Sequence, residues 1–175
     1  MGLIESGDGG ETWDSVSLSG EADFHALVAW SGGVAGFDGA VGALRVSIDD
    51  GATWSEGAAD VAPFALAADG SAMVATTEDG LQVSRDGGYS FTAAPGAPLL
   101  QLVDFTSGEG VVGLDPSGGS YRSVDLADWQ RLGSVDAGQV QALTAGVDDD
   151  VWVATTEGLQ RSTDAGATFS TALAW

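Results

Sequence analysis

The chain contains no cysteine and no lysine, a single histidine, and only five basic residues, all arginine, against 26 acidic ones. The missing thiols exclude disulfides, thiol nucleophiles, zinc fingers and iron–sulfur sites. The missing positive charge excludes as much. A formal net charge of −21 argues against DNA, RNA or an anionic membrane surface as partner. No run approaches the roughly 18 apolar residues of a membrane span. The opening residues, Met1 to Ser6, carry neither a basic stretch nor a hydrophobic run, so they do not read as a signal peptide. Proline is scarce, at four residues, while glycine reaches 27. A hydrophobic content of 44% supports a packed core and not a disordered acidic tail. The length of 175 residues suits one domain, expected over 1–175. The acidity also fits a hydrated carboxylate coat for high salt, or the codon bias of a GC-rich genome.

One short pattern, Ser-x-Asp-x-Gly-x-Thr-Trp, recurs along the chain. Its copies place Ser6, Asp8, Gly10 and Trp13; Ser47, Asp49, Gly51 and Trp54; Ser84, Asp86, Gly88 and Phe91; and Ser162, Asp164, Gly166 and Phe169. A worn copy holds Ser123, Asp125 and Trp129. Successive serines are 41, 37, 39 and 39 residues apart. A fixed period of this size signals a repeat architecture.

Between the copies the chain reads as short strands. Apolar runs at 64–68 and 72–77 flank Asp69-Gly70, a hairpin signal. Strands at 80–84 and 90–92 then bracket the third box. The same four-strand plan fits 25–30, 34–38, 44–48 and 53–55. It fits again at 99–105, 110–114, 121–124 and 129–132, and finally at 140–145, 151–156, 159–162 and 168–173. No window shows helical periodicity. Four antiparallel strands every ~40 residues describe a blade of an all-β propeller. The expected units are a half-blade over 1–18 and blades over about 24–58, 62–94, 99–134 and 139–175. The box falls at the turn between the third and fourth strands. There Asp bonds nearby N–H groups, Gly takes positive φ, and the closing ring packs between blades.

This motif resembles the Asp-box, or BNR repeat, of sialidases and sialidase-like propellers. The stretch from Gly2-Leu3-Ile4-Glu5-Ser6 through Trp13, followed by Val16 to Leu27, is similar to exported actinobacterial BNR-repeat proteins catalogued as glycosyl hydrolases. The resemblance covers the whole chain. It implies an exported, extracellular family. It also implies about a blade and a half upstream, with further histidines, so that the expected four and a half blades form part of a roughly six-bladed ring. A thin five-bladed ring is the competing expectation.

A sialidase needs three arginines around the substrate carboxylate, a Tyr–Glu nucleophile pair and an acid. Arg45, Arg85, Arg122 and Arg161 all lie beside box serines, on the outer half of the blades, and Tyr89 lies inside a box. Ligands usually reach a propeller at the mouth of its axial channel. Acids expected there include Asp23, Asp38, Asp60, Asp104, Asp115 and Asp136, with Glu78 and Glu157 after the second strands. Asp23, His25, Asp38 and Asp104 are the candidate binding residues, although capping of turns competes for each carboxylate. One histidine makes no metal site by itself. The boxes lack the alternating ligands and closing Glu of a calcium loop, and Asp148 to Asp150 reads as a solvated hairpin tip. No metal and no cofactor are expected.

The expected function is therefore a non-catalytic platform for a protein or glycan partner. The alternative is a sialidase-like glycoside hydrolase whose site needs the upstream blades. A third reading is an assembly factor of the kind found among photosystem propellers that share this repeat. Trp30, Trp152 and Trp175 are the aromatics free for glycan contact. The open edge of the half-blade is expected to recruit a strand from a second copy, giving a homodimer.

Overall fold

The computed structural model describes residues 2–107 and 110–175; Met1, the first residue of the N-terminal reading, lies outside them. All of its described elements are strands. A two-stranded sheet comes first, β1 (Leu3–Glu5) and β2 (Asp14–Ser17). Four four-stranded antiparallel blades follow. Blade I holds β3 (Phe24–Trp30), β4 (Gly33–Asp38), β5 (Ala43–Ser47) and β6 (Ser55–Glu56). Blade II holds β7 (Ala65–Ala68), β8 (Met73–Thr77), β9 (Gly80–Ser84) and β10 (Thr92–Ala93). Blade III holds β11 (Leu102–Phe105), β12 (Val111–Leu114), β13 (Gly119–Ser123) and β14 (Gln130–Ser134). Blade IV holds β15 (Val140–Ala145), β16 (Val151–Thr155), β17 (Gly158–Ser162) and β18 (Ser170–Ala174). The blades are arranged as a β-propeller. β7 packs against β3 and β11, and β11 against β15; among the described residues no comparable contact joins β15 back to β3.

The cores are the seams between blades. Ala35, Val46, Leu44, Met73 and Ala75 fill the seam of blades I and II. Val74, Leu81, Val103 and Val111 fill that of II and III. Val112, Leu114, Val151 and Val153 fill that of III and IV. β8 and β12 are buried along their whole length because a blade covers each of their faces. β18 is exposed at every residue. Each fully buried Leu or Val contributes about 1.5–3 kcal/mol.

The box turns share one geometry. In blade I the Ser47 hydroxyl donates to Asp49 Oδ1 at 2.8 Å and its oxygen accepts the Gly51 N–H at 2.8 Å. Asp49 in turn accepts the Thr53 N–H (2.8 Å) and the Thr53 hydroxyl (2.6 Å). The same ring of bonds forms around Ser6 and Asp8 with Gly10 and Thr12. It recurs around Ser84 and Asp86 with Gly88 and Ser90, and around Ser162 and Asp164 with Gly166 and Thr168. The turn needs two successive left-handed residues, such as Gly87 (φ 78°) and Gly88 (φ 97°). The worn copy is one residue shorter and has no glycine, so only Leu126 turns left-handed (φ 65°). Ser123 Oγ therefore takes the Leu126 N–H, at 2.9 Å.

Every ring that closes a box in a blade faces the unit before it. Phe91, Trp129 and Phe169 pack into the seams I–II, II–III and III–IV. Trp54 lies 5.0 Å from Phe24, centroid to centroid, and its indole N–H reaches Ser17 of the two-stranded sheet. Trp13 departs from the expectation of a ring packed between blades: it is 58% exposed, because no described element precedes its sheet. The rings also lie one residue ahead of the outer strands and do not begin them, since the box aspartate still holds the backbone N–H of the residue just before each ring. Trp54 Nε1–H also donates to the Gly51 carbonyl. The shortened copy has no such glycine, and the Trp129 Nε1–H is buried without a partner among the described residues.

Candidate functional site

Propeller topology sorts the loops onto two faces. The connections that enter the inner strands share one face with the hairpins between second and third strands, and the boxes lie on the other. The expected mouth is the first of these faces.

Three of the four candidate binding residues meet there, all in blade I. His25 Nε2 lies 3.0 Å from Asp23 Oδ2, and both side chains are about 61% exposed. The β3–β4 register shifts between Phe24 and Ala26, which leaves His25 as a bulged residue over Gly39. A Cβ on Gly39 would come within 2.8 Å of the imidazole. Asp38 is fully buried beneath this pair. It accepts the N–H groups of Asp23 and Ala40, both at 3.0 Å, and the Arg45 guanidinium at 2.7 Å. Burial pushes its carboxyl up, but these four interactions, two N–H bonds and the bond and charge of Arg45, outweigh it and hold the group below its ordinary range. Asp38 is thus occupied in shaping the β4–β5 hairpin.

Asp104 stands apart. It lies near the far end of β11, and its carboxylate accepts the Ala145 N–H of blade IV at 2.8 Å and its neighbour Phe105 N–H at 2.9 Å. Burial raises its carboxyl, and the bonds from Ala145, Phe105 and Thr144 offset that only in part. It lines the axial cavity of 420 Å³, where all four inner strands meet. Every other described residue around that cavity, Gln141 apart, is apolar: Leu27 to Ala29, Ala65 to Ala68, Leu102, Val103, Ala142 and Leu143.

Several of the remaining acids are spent on turns and ion pairs. Asp115 accepts the N–H groups of Ser117 and Gly119, and Asp136 accepts the Ser134 hydroxyl. Asp150 pairs with Arg161 at 2.7 Å and accepts the Trp152 indole N–H at 2.9 Å, and Arg161 lies 5.0 Å above the Trp152 ring. Trp30 is half-buried in the I–II seam, and Trp175 is exposed. Among the described residues no group of three His, Cys, Asp or Glu is placed to hold a metal.

Two cavities were not read from the sequence. One, of 520 Å³, runs along the flank of blade II between residues 58–62 and the chain around Tyr89 to Phe91; Asp60, Glu78 and Asp79 line it. The other, of 340 Å³, is bounded by Phe64, Leu99, Leu100 and Pro116. Phe64 and Leu99 were expected inside strands 64–68 and 99–105. The strands start at Ala65 and Leu102 instead, which leaves these two side chains outside the sheets. Their signal in the sequence was a large apolar residue just before each inner strand.

No protein-family model matches the chain, and no curated protein matches its sequence. Solved structures do resemble it. YCF48 bound to D1 peptide aligns over 97% of this chain and 60% of its own, with 20% identity and a TM-score of 0.67. The nidogen/laminin complex aligns over 90% and 67%, with 13% identity and a TM-score of 0.71. The Niastella koreensis GH74 enzyme aligns over 83% and 24%, with 20% identity and a TM-score of 0.63. The chain thus spans about three fifths of the YCF48 chain and a quarter of the GH74 chain. At these identities the likeness establishes the propeller fold.

Proposed function

We propose that the chain is an Asp-box propeller, a single unit over residues 1–175, that serves as a non-catalytic platform for a protein partner. The observation that carries this reading is the axial cavity, which among the described residues is lined by one carboxylate, Asp104, and otherwise by uncharged residues. Glycoside hydrolysis needs two carboxyl groups about 5–10 Å apart across one site. Two acids of the mouth face are engaged, Asp38 by Arg45 and two N–H groups and Asp23 by His25. Two of the similar structures hold this fold against a peptide or a protein. The motif likeness to exported sialidase-like proteins supports a location outside the cell for such a platform.

The GH74 likeness favours a second reading, a glycoside hydrolase completed by residues beyond those described. One pair of assays separates the two. The purified chain is incubated with nitrophenyl glycosides and β-glucan, and separately hybridised to peptide and glycan arrays. Saturable binding to peptides without turnover supports the platform. Turnover that disappears in Asp104→Asn overturns it, and binding confined to glycans overturns the choice of a protein partner.

A further inference from the structure

The two cavities on the flank of blade II adjoin: Thr77 and Glu78, at the β8–β9 hairpin, line both. Their characters differ. The smaller one is an apolar hollow. Phe64 and Leu99, 63% and 56% exposed, stand on either side of it, Pro116 bounds it, and Leu100, 2% exposed, forms its floor. Large apolar side chains this exposed around one hollow mark a contact surface. The larger one carries three carboxylates, of Asp60, Glu78 and Asp79, on an exposed rim, with the half-exposed Tyr89 ring at its other end. Neither is lined by an arginine, and the chain has no lysine, so nothing within these walls neutralises the carboxylates.

We propose that this continuous groove docks an extended, basic segment of a protein partner, with one large apolar side chain seated in the hollow and an adjoining Arg or Lys in the acidic cavity. The inference rests on the platform reading and names the partner it takes. The apolar anchor supplies the buried area, and the flanking charge supplies selection and orientation. Tyr89 adds a ring face on which a guanidinium can stack. A second copy of this chain is a poor occupant, since two bodies each of charge −21 repel and neither offers a lysine. An acidic partner meets like charge at Glu78, and a neutral apolar one leaves three carboxylates partly desolvated and unpaired.

The test is fluorescence anisotropy with labelled Gly-Ser peptides of four kinds: a Leu beside an Arg pair, the Arg pair alone, the Leu alone, and the Leu beside a Glu pair. The first is expected to bind tightest. Phe64→Ser and Glu78→Gln are each expected to weaken it about tenfold, and Glu78→Gln is expected to flatten its salt dependence. Near-UV circular dichroism of both variants confirms that they remain folded; Glu78, on an exposed hairpin, decides the question if Phe64→Ser does not fold. Equal binding of the two Arg peptides overturns the apolar anchor. Binding of the first peptide unchanged by either variant places the contact elsewhere and overturns the groove, while the platform reading stands. No binding of any of the four overturns the groove too, and the platform reading is then decided by the arrays alone.

Discussion

The Trp54 indole N–H donates to Ser17 Oγ at 2.9 Å, and the Ser17 hydroxyl donates to the Gly51 carbonyl at 2.6 Å. Through these two bonds the box of blade I is locked to the sheet before it. Similar docking recurs farther along. The Ala58 N–H reaches the Gly88 carbonyl, and the Ser120 hydroxyl reaches the Gly166 carbonyl, so the box glycine of one blade accepts a bond from the unit that precedes it. The box is therefore a turn and a joint at once.

Trp54→Ala is expected to cost about 3–5 kcal/mol, because it empties part of a seam and leaves Ser17 without its donor. Trp13→Ala at the equivalent position of the first box is expected to stay within about 0.5 kcal/mol of the parent, since that ring is 58% exposed. Urea melts of the two variants check the contrast. Equal losses would mean that Trp13 is covered in solution.

The box aspartates set the acid limit of the fold. Hydrogen bonds from Thr12 and Ser6 hold Asp8 down to about 2, those from Ser90 and Ser84 hold Asp86 there, and those from Ser162 and Thr168 hold Asp164 there. A carboxyl lowered in the folded state from its ordinary 3.8 stabilises the fold fully above that value. The contribution is lost as pH falls from about 4 to about 2. Thermal melts from pH 6 downward should show the midpoint dropping in that window. Asp86→Asn should have a smaller drop there than the parent.

Asp104 acts with the opposite sign. Burial raises its carboxyl in the folded state, so its ionisation opposes folding as pH rises through the carboxylate range. Its bond to Ala145 nevertheless joins blades III and IV. Asp104→Ala is expected to cost about 1–3 kcal/mol by orphaning that N–H. Asp104→Asn keeps an acceptor without the charge and should be the more stable of the two at pH 7, as differential scanning calorimetry would show.

Self-repulsion follows from 26 acids facing five arginines. Raising salt from 10 mM to 150 mM shortens the screening length from about 30 Å to about 8 Å. The melting temperature should rise over that range, while the small change in the paired Asp38–Arg45 bridge, buried on the Asp side, leaves the trend intact. A falling melting temperature would mean that local ion pairs outweigh the net charge.

The repeat architecture was legible in the chain because its signal is local. Ser, Asp and Gly at fixed offsets can close only a turn of one shape, and a period near 39 residues admits only four short strands between such turns. The four blades and the two-stranded sheet at Leu3–Glu5 and Asp14–Ser17 follow from that. What the carboxylates outside the boxes do was not legible, because it depends on which groups the folded strands set beside them. Asp38 and Asp104 look alike in the chain. Tertiary structure buries one against Arg45 and sets the other across a seam against Ala145, 41 residues on. The groove at Phe64, Glu78 and Leu99 was hidden for the same reason. Its walls come from two blades and five connections, and only the packing of those blades decided that two apolar side chains would stand outside the sheets beside three unneutralised acids.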